Sequence, residues 1–77
     1  MKIRELDDVV LVSALPEHGL AEGDIGTVVL VHRRGEGYEV EFTTLDGNTV
    51  AVVTLLATHV RPIQKREIAH VRALVAA

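Results

Sequence analysis

Pro16, Gly19, Gly23 and Gly26 fall within the stretch from Ala14 to Gly26, and they bar regular helix there. Glycine and proline at this density are turn chemistry, so the segment is a long loop that folds back on itself. Its apolar members, Leu15, Leu20 and Ile25, are anchors whose burial offsets part of the entropy of ordering, and an ordered loop is expected. On either side lie short apolar runs, Val9 to Val12 and Thr27 to His32, with the length and β-branched content of strands. Because Thr27 to His32 is nearly all apolar, it predicts a strand covered on both faces or one in the middle of a small barrel.

Arg33 to Gly37 is a polar connection, after which Tyr38-Glu39-Val40-Glu41-Phe42 alternates strictly. That alternation places Tyr38, Val40 and Phe42 on one face of a strand and Glu39 and Glu41 on the other. Asp46-Gly47 is a hairpin signal of the primed-turn type, which needs positive φ. Thr49 to Leu55 is the return strand, Ala57-Thr58-His59 a short helical turn, and Val60-Arg61 a last strand stopped by Pro62. Five short strands, a long first loop, two hairpins and a turn before the last strand describe a mainly β fold, a small five-stranded SH3-like barrel over residues 1–63.

The period changes in residues 64–77, where Ile68, Val71, Leu74 and Val75 fall on one helical stripe among alanines. A C-terminal amphipathic α-helix appended to the barrel is expected. Lys65 and Arg66 sit at its N-terminal end, unfavourable for cations, and no Ser, Thr, Asp or Asn caps it. A lone helix this short is marginal in water, so it forms only if the stripe docks on the barrel or on another chain.

Seventy-seven residues are room for one small domain. Tyr38 and Phe42 are its only aromatics and it has no cysteine, which removes stacking platforms, thiolate metal sites and disulfide staples, and leaves aliphatic packing to stabilise the fold. The net charge of −3 is uneven: residues 1–60 carry four basic against ten acidic side chains, whereas Arg61, Lys65, Arg66 and Arg72 face Glu67 alone in residues 61–77. An acidic body with a basic tail argues against nonspecific binding to a polyanion. Neither a secretory apolar stretch nor a membrane-spanning run is present, and a cytoplasmic location is expected.

Leu15-Pro16-Glu17-His18-Gly19-Leu20, followed by Gly23-Asp24-Ile25-Gly26-Thr27-Val28-Val29, resembles a family of short bacterial proteins catalogued only as a domain of unknown function. Tyr38 to Phe42, Asp46-Gly47-Asn48-Thr49, Val53-Thr54-Leu55 and Val60-Arg61-Pro62 look like its later blocks, in the same order. The resemblance covers residues 6–62 and implies an SH3-like barrel without catalytic residues, some members being encoded beside toxin–antitoxin-type genes. A wider likeness is to KOW modules, where a Gly-Asp-x-Gly turn feeds a strand, and it raises RNA binding as an alternative.

Residue by residue, structural roles dominate. Gly19, Gly23, Asp24, Gly26, Asp46 and Gly47 are turn residues, with glycines in conformations barred to other side chains and Asp24 bonding the turn backbone. His18, His32, His59 and His70 show no metal-ligand spacing, so no metal or cofactor is implied. Ser13, with His18 and Asp24 in the loop after it, is the sole candidate for nucleophilic chemistry, and no catalytic residue is assigned. Glu39 and Glu41, about 7 Å apart by the strand rise, read as a solvated face rather than a hydrolase pair. Arg33, Arg34, Arg61, Lys65 and Arg66 are the candidate nucleic-acid contacts, and Ile68, Val71, Leu74 and Val75 the candidate partner-binding stripe. The resulting expectation is a non-enzymatic protein-binding module, an accessory or neutralising partner of a neighbouring gene product, with self-association into a homodimer as one mode of association and no membrane partner.

Overall fold

A computed structural model describes residues 2–74 of the chain. Five strands, β1 (Asp8–Leu11), β2 (Ile25–His32), β3 (Gly37–Thr43), β4 (Thr49–Leu56) and β5 (Val60–Pro62), form one antiparallel sheet in the order β4-β3-β2-β1-β5. Strands β4 and β5 are its edges, and among the described residues no pairing joins them. Two single-turn 3₁₀ helices complete the elements, Pro16–His18 in the long loop and Ala57–His59 before β5. No helix among the described residues is long and apolar enough to cross a membrane.

The alternation in β3 translates directly into packing: Tyr38, Val40 and Phe42 are buried, so the core takes both aromatics. Val9, Leu11, Val28 and Val40 are its most completely enclosed side chains. Leu20 joins this cluster and Leu15 packs against it, while Leu15 and Leu20 also exchange backbone hydrogen bonds of 2.9 and 3.1 Å across the loop. Two of the three expected loop anchors thus hold the loop in place. The third, Ile25, remains 40% exposed.

Strand β2 is the central strand of the sheet, in line with one of the two placements its apolar run implies, but the other fails. It is not covered on both faces, because a register shift between Val28 and Leu30 leaves Val29 as an extra residue. Leu30 then pairs with Glu39 and Val31 with Tyr38, so Val29 and Leu30 both lie exposed on the outer side of the sheet. A bulge of this kind breaks the two-residue period that sequence patterning relies on.

The β3–β4 connection is also not a primed turn. Gly47 donates to the Thr44 carbonyl at 3.0 Å and the Asn48 carbonyl accepts from Thr44 N–H at 2.8 Å, with Gly47 at φ +93° and Asp46 outside the positive region. Asp46 instead accepts from the Thr44 hydroxyl and from Asn48 Nδ2, stabilising the tip with its side chain.

The expected C-terminal helix does not form among the described residues. Residues 64–74 contain one turn at Lys65-Arg66 and otherwise run without regular secondary structure, and Val75 lies outside the described residues. Ile68 and Val71 are 95% and 72% exposed, so the stripe does not dock as a helical face. The Glu67 carboxylate receives a fork of bonds from Arg61 at 2.8 and 2.5 Å and the Gln64 N–H at 2.6 Å, which holds the single turn at Lys65-Arg66. A short helix without tertiary packing is marginal in water, and no further turn forms among the described residues.

Candidate functional site

The corner at Gly23-Asp24 is zipped to β1. Gly23 donates to the Leu11 carbonyl at 2.8 Å, Leu11 donates to the Asp24 carbonyl at 2.9 Å, and Gly23 at φ +94° supplies the bend. Asp24 Oδ2 accepts the Ala21 N–H at 2.8 Å, the turn-bonding role expected of it. Gly26 serves a different purpose from the one expected. Its φ is not positive, but a Cβ there would lie 2.5 Å from Val40 Cγ1 and 2.8 Å from Phe42 Cε1, so it is the absent side chain that lets β2 settle on the core. Gly19 at φ +69° closes the 3₁₀ turn, as a left-handed residue should.

Onto this corner comes a group from the far end of the chain. Arg72 Nε donates to Asp24 Oδ1 at 2.7 Å, while its Nη2 donates to Asp24 Oδ2 and, at 3.1 Å, to the Gly19 carbonyl. The contact is partly enclosed, with the Asp24 side chain 17% exposed and that of Arg72 33%. The Arg72 guanidinium is the main cause holding the Asp24 carboxyl below its ordinary value; partial burial opposes it and the Ala21 bond assists. Asp24 in turn pushes Arg72 upward. A planar donor fork on a carboxylate is the strongest form of such a pair.

Beside the clamp runs a groove of about 570 Å³. Leu20, Ile25, Phe42, Leu45 and Val50 form its sheet side, and residues 69–74 border it from the tail. The loop after β1 and the β3–β4 turn are therefore its two banks, with Asp24 on the first and Thr43, Thr44 and Asp46 on the second, and the lining between them is mainly apolar.

The remaining candidates are distributed elsewhere. Arg61 is engaged by Glu67, whose carboxyl it holds down to about 2. Arg33 and Arg34 occupy the β2–β3 tip and Lys65 and Arg66 the start of the tail, all exposed. No hydrogen bond links Ser13, His18 and Asp24 among the described residues. Glu39 and Glu41 do share the outer face but bond to different neighbours: Glu39 accepts from Thr54 Oγ1 at 2.6 Å and His32 Nε2 at 2.7 Å, and Glu41 from Thr49 Oγ1 at 2.7 Å. These bonds, Thr54 first, hold the Glu39 carboxyl low and stitch β3 to its flanking strands. His59 Nδ1 accepts the Leu56 N–H at 3.2 Å, a structural use of the imidazole. Among the described residues no three His, Asp or Glu side chains converge as metal ligands would.

Arg72 was not singled out as a site residue by sequence reasoning. It lies 48 positions from Asp24, in a segment whose apolar spacing suggested a helix, and the only available signal was a lone basic residue in a tail opposite in charge to the body.

The fold and groove define a small antiparallel β module with a surface channel bordered by its own C-terminal segment. The family model described as "Domain of unknown function (DUF4926)" matches residues 5–62, and the chain belongs to that family. The match ends at β5, so the groove's sheet side and Asp24 lie within it and Arg72 lies outside. No curated protein and no solved structure is significantly similar to the chain.

Proposed function

We propose that this protein is a non-enzymatic protein-binding module, and that its groove beside Asp24 receives an extended segment of another protein. The observation that carries this reading is the Arg72–Asp24 clamp: a stretch of chain without regular structure is held along the groove by one partly buried acid and one backbone carbonyl. Short clefts that combine an aliphatic floor with a few fixed polar groups are suited to reading peptide segments. The sheet order, with a 3₁₀ turn before β5, supports an SH3-like barrel as the full description of the fold. The partner fits the role of a neighbouring gene product that this protein accompanies or neutralises. Affinity capture from the native cell extract with the wild-type chain and with Asp24→Asn tests the reading. A stoichiometric partner retained by the former and lost by the latter supports it; equal retention by both counts against the groove.

A second reading draws on the β2–β3 tip, where Arg33 and Arg34 hold φ of +46° and +60°. Backbone strain kept at an exposed tip is a reason to ask about function, and here it supports a KOW-like RNA-binding surface using Arg33 and Arg34. Salt-dependent RNA binding abolished by Arg33→Ala with Arg34→Ala supports that alternative, and no binding at low salt removes it.

A further inference from the structure

The tail meets the groove through little besides its arginine. Val71 is 72% exposed and Leu74 49%, and the positions that border the channel on either side of Arg72 include Ala69 and Ala73, which offer one methyl each. About 570 Å³ stays open between tail and sheet, lined by Leu20, Ile25, Phe42 and Val50. An apolar channel left this wide forgoes the dispersion contacts that a close-fitting side chain would make. The polar end is fully matched: Asp24 is preset by the Ala21 N–H, and together with the Gly19 carbonyl it takes three bonds from a single guanidinium. Lysine cannot reproduce that planar fork.

From this contrast between a satisfied anchor and an underfilled floor, we infer that the groove recognises a partner's extended segment bearing an arginine next to bulky aliphatic residues, and that the chain's own residues 69–74 cover the groove in its absence. This rests on the docking reading above and names both the partner's chemistry and the means by which the site is kept covered. The tail begins directly after β5, so its effective concentration at the groove is of millimolar order and one ion pair is enough to keep it there. A competing segment wins by filling what the alanines leave empty. The acidic body, net −6 over residues 1–60, favours the approach of such a basic segment.

The test uses three full-length chains, wild type, Arg72→Ala, and Arg72→Ala with Asp24→Asn, and a fluorescently labelled peptide of residues 65–74, read by anisotropy. Arg72→Ala frees the groove and is expected to bind the peptide about threefold to fivefold more tightly than wild type does. A peptide carrying Ala73→Leu binds more tightly again by several fold. A peptide carrying Arg72→Ala, or the chain with Asp24→Asn, loses binding. Equal affinity of wild type and Arg72→Ala, no binding by Arg72→Ala, or indifference to Asp24→Asn overturns the inference. If the peptide fails while the native partner is still lost with Asp24→Asn, the inference alone falls; if partner capture ignores Asp24, the docking reading falls with it.

Discussion

Asp24 and Arg72, 48 positions apart, form a forked ion pair that fastens the C-terminal segment to the first loop of the sheet. The same carboxylate already accepts the Ala21 N–H, so Asp24 has one bond in the family-matched body and another to a tail beyond it. The two substitutions that break the pair should therefore differ. Arg72→Ala removes only a partly exposed ion pair and should cost about 1 kcal/mol or less. Asp24→Ala also orphans the turn N–H and should cost about 1 kcal/mol more. Chemical denaturation of both variants checks the order.

The pair also sets an acid limb. Because Asp24 titrates below its ordinary value of 3.8 in the folded chain, its contribution is complete above that value and disappears as the pH falls through the lowered one. Carboxyl ¹³C NMR should show Asp24 titrating at higher pH in Arg72→Ala than in wild type. The stability difference between the two chains should shrink on acidification below about pH 4. An unchanged Asp24 titration would mean that the guanidinium is not its partner in solution.

Glu67 gives the tail a second acid-sensitive hold. Arg61 and the Gln64 N–H hold its carboxyl down from 4.5 to about 2, so what the pair adds is present above the ordinary value and fades as the pH falls toward 2. In Arg61→Gln the Glu67 carboxyl should titrate nearer its ordinary value, read by the same NMR experiment.

Gly26→Ala should be the most damaging single methyl in the loop. The added Cβ would press on Val40 and Phe42 inside the core, and overpacking of this kind costs about 1–3 kcal/mol. Thermal unfolding should move down by at least about 4 °C. Gly19→Ala and Gly23→Ala meet open space and should show only the strain of positive φ.

At the β2–β3 tip the opposite change is expected. Arg33 and Arg34 both hold left-handed backbone in the bend that Gly35 closes by donating to the His32 carbonyl at 2.9 Å. Replacing them by Asn and Gly relieves strain of about 1 kcal/mol per position. The melting temperature of Arg33→Asn with Arg34→Gly should rise by about 4 °C or more.

Local patterning carried much of the fold. Strand β3 was legible because its alternation has no interruption, whereas Pro62, expected to stop β5, is its last member and pairs with Val9. The long loop was legible through its glycines and through Leu15 and Leu20. Val29 was not, since one extra residue in β2 shifts the pattern without leaving a compositional mark. Residues 64–74 misled for a physical reason: their apolar spacing suits a helix, but helix formation there depends on docking, and the charges of Glu67 and Arg72 are committed to Arg61 and Asp24. Asp24 was read correctly as a turn residue, yet its second partner lies too far along the chain for spacing to reveal.

Amide chemical-shift mapping of the ¹⁵N-labelled full-length Arg72→Ala chain, titrated with the residue 65–74 peptide, tests the docking groove most directly. The account predicts shifts concentrated at Gly19 to Ile25 and Phe42 to Asp46, the two banks beside Asp24. Shifts centred instead on Arg33 and Arg34 or along β4, or none at saturating peptide, would contradict it.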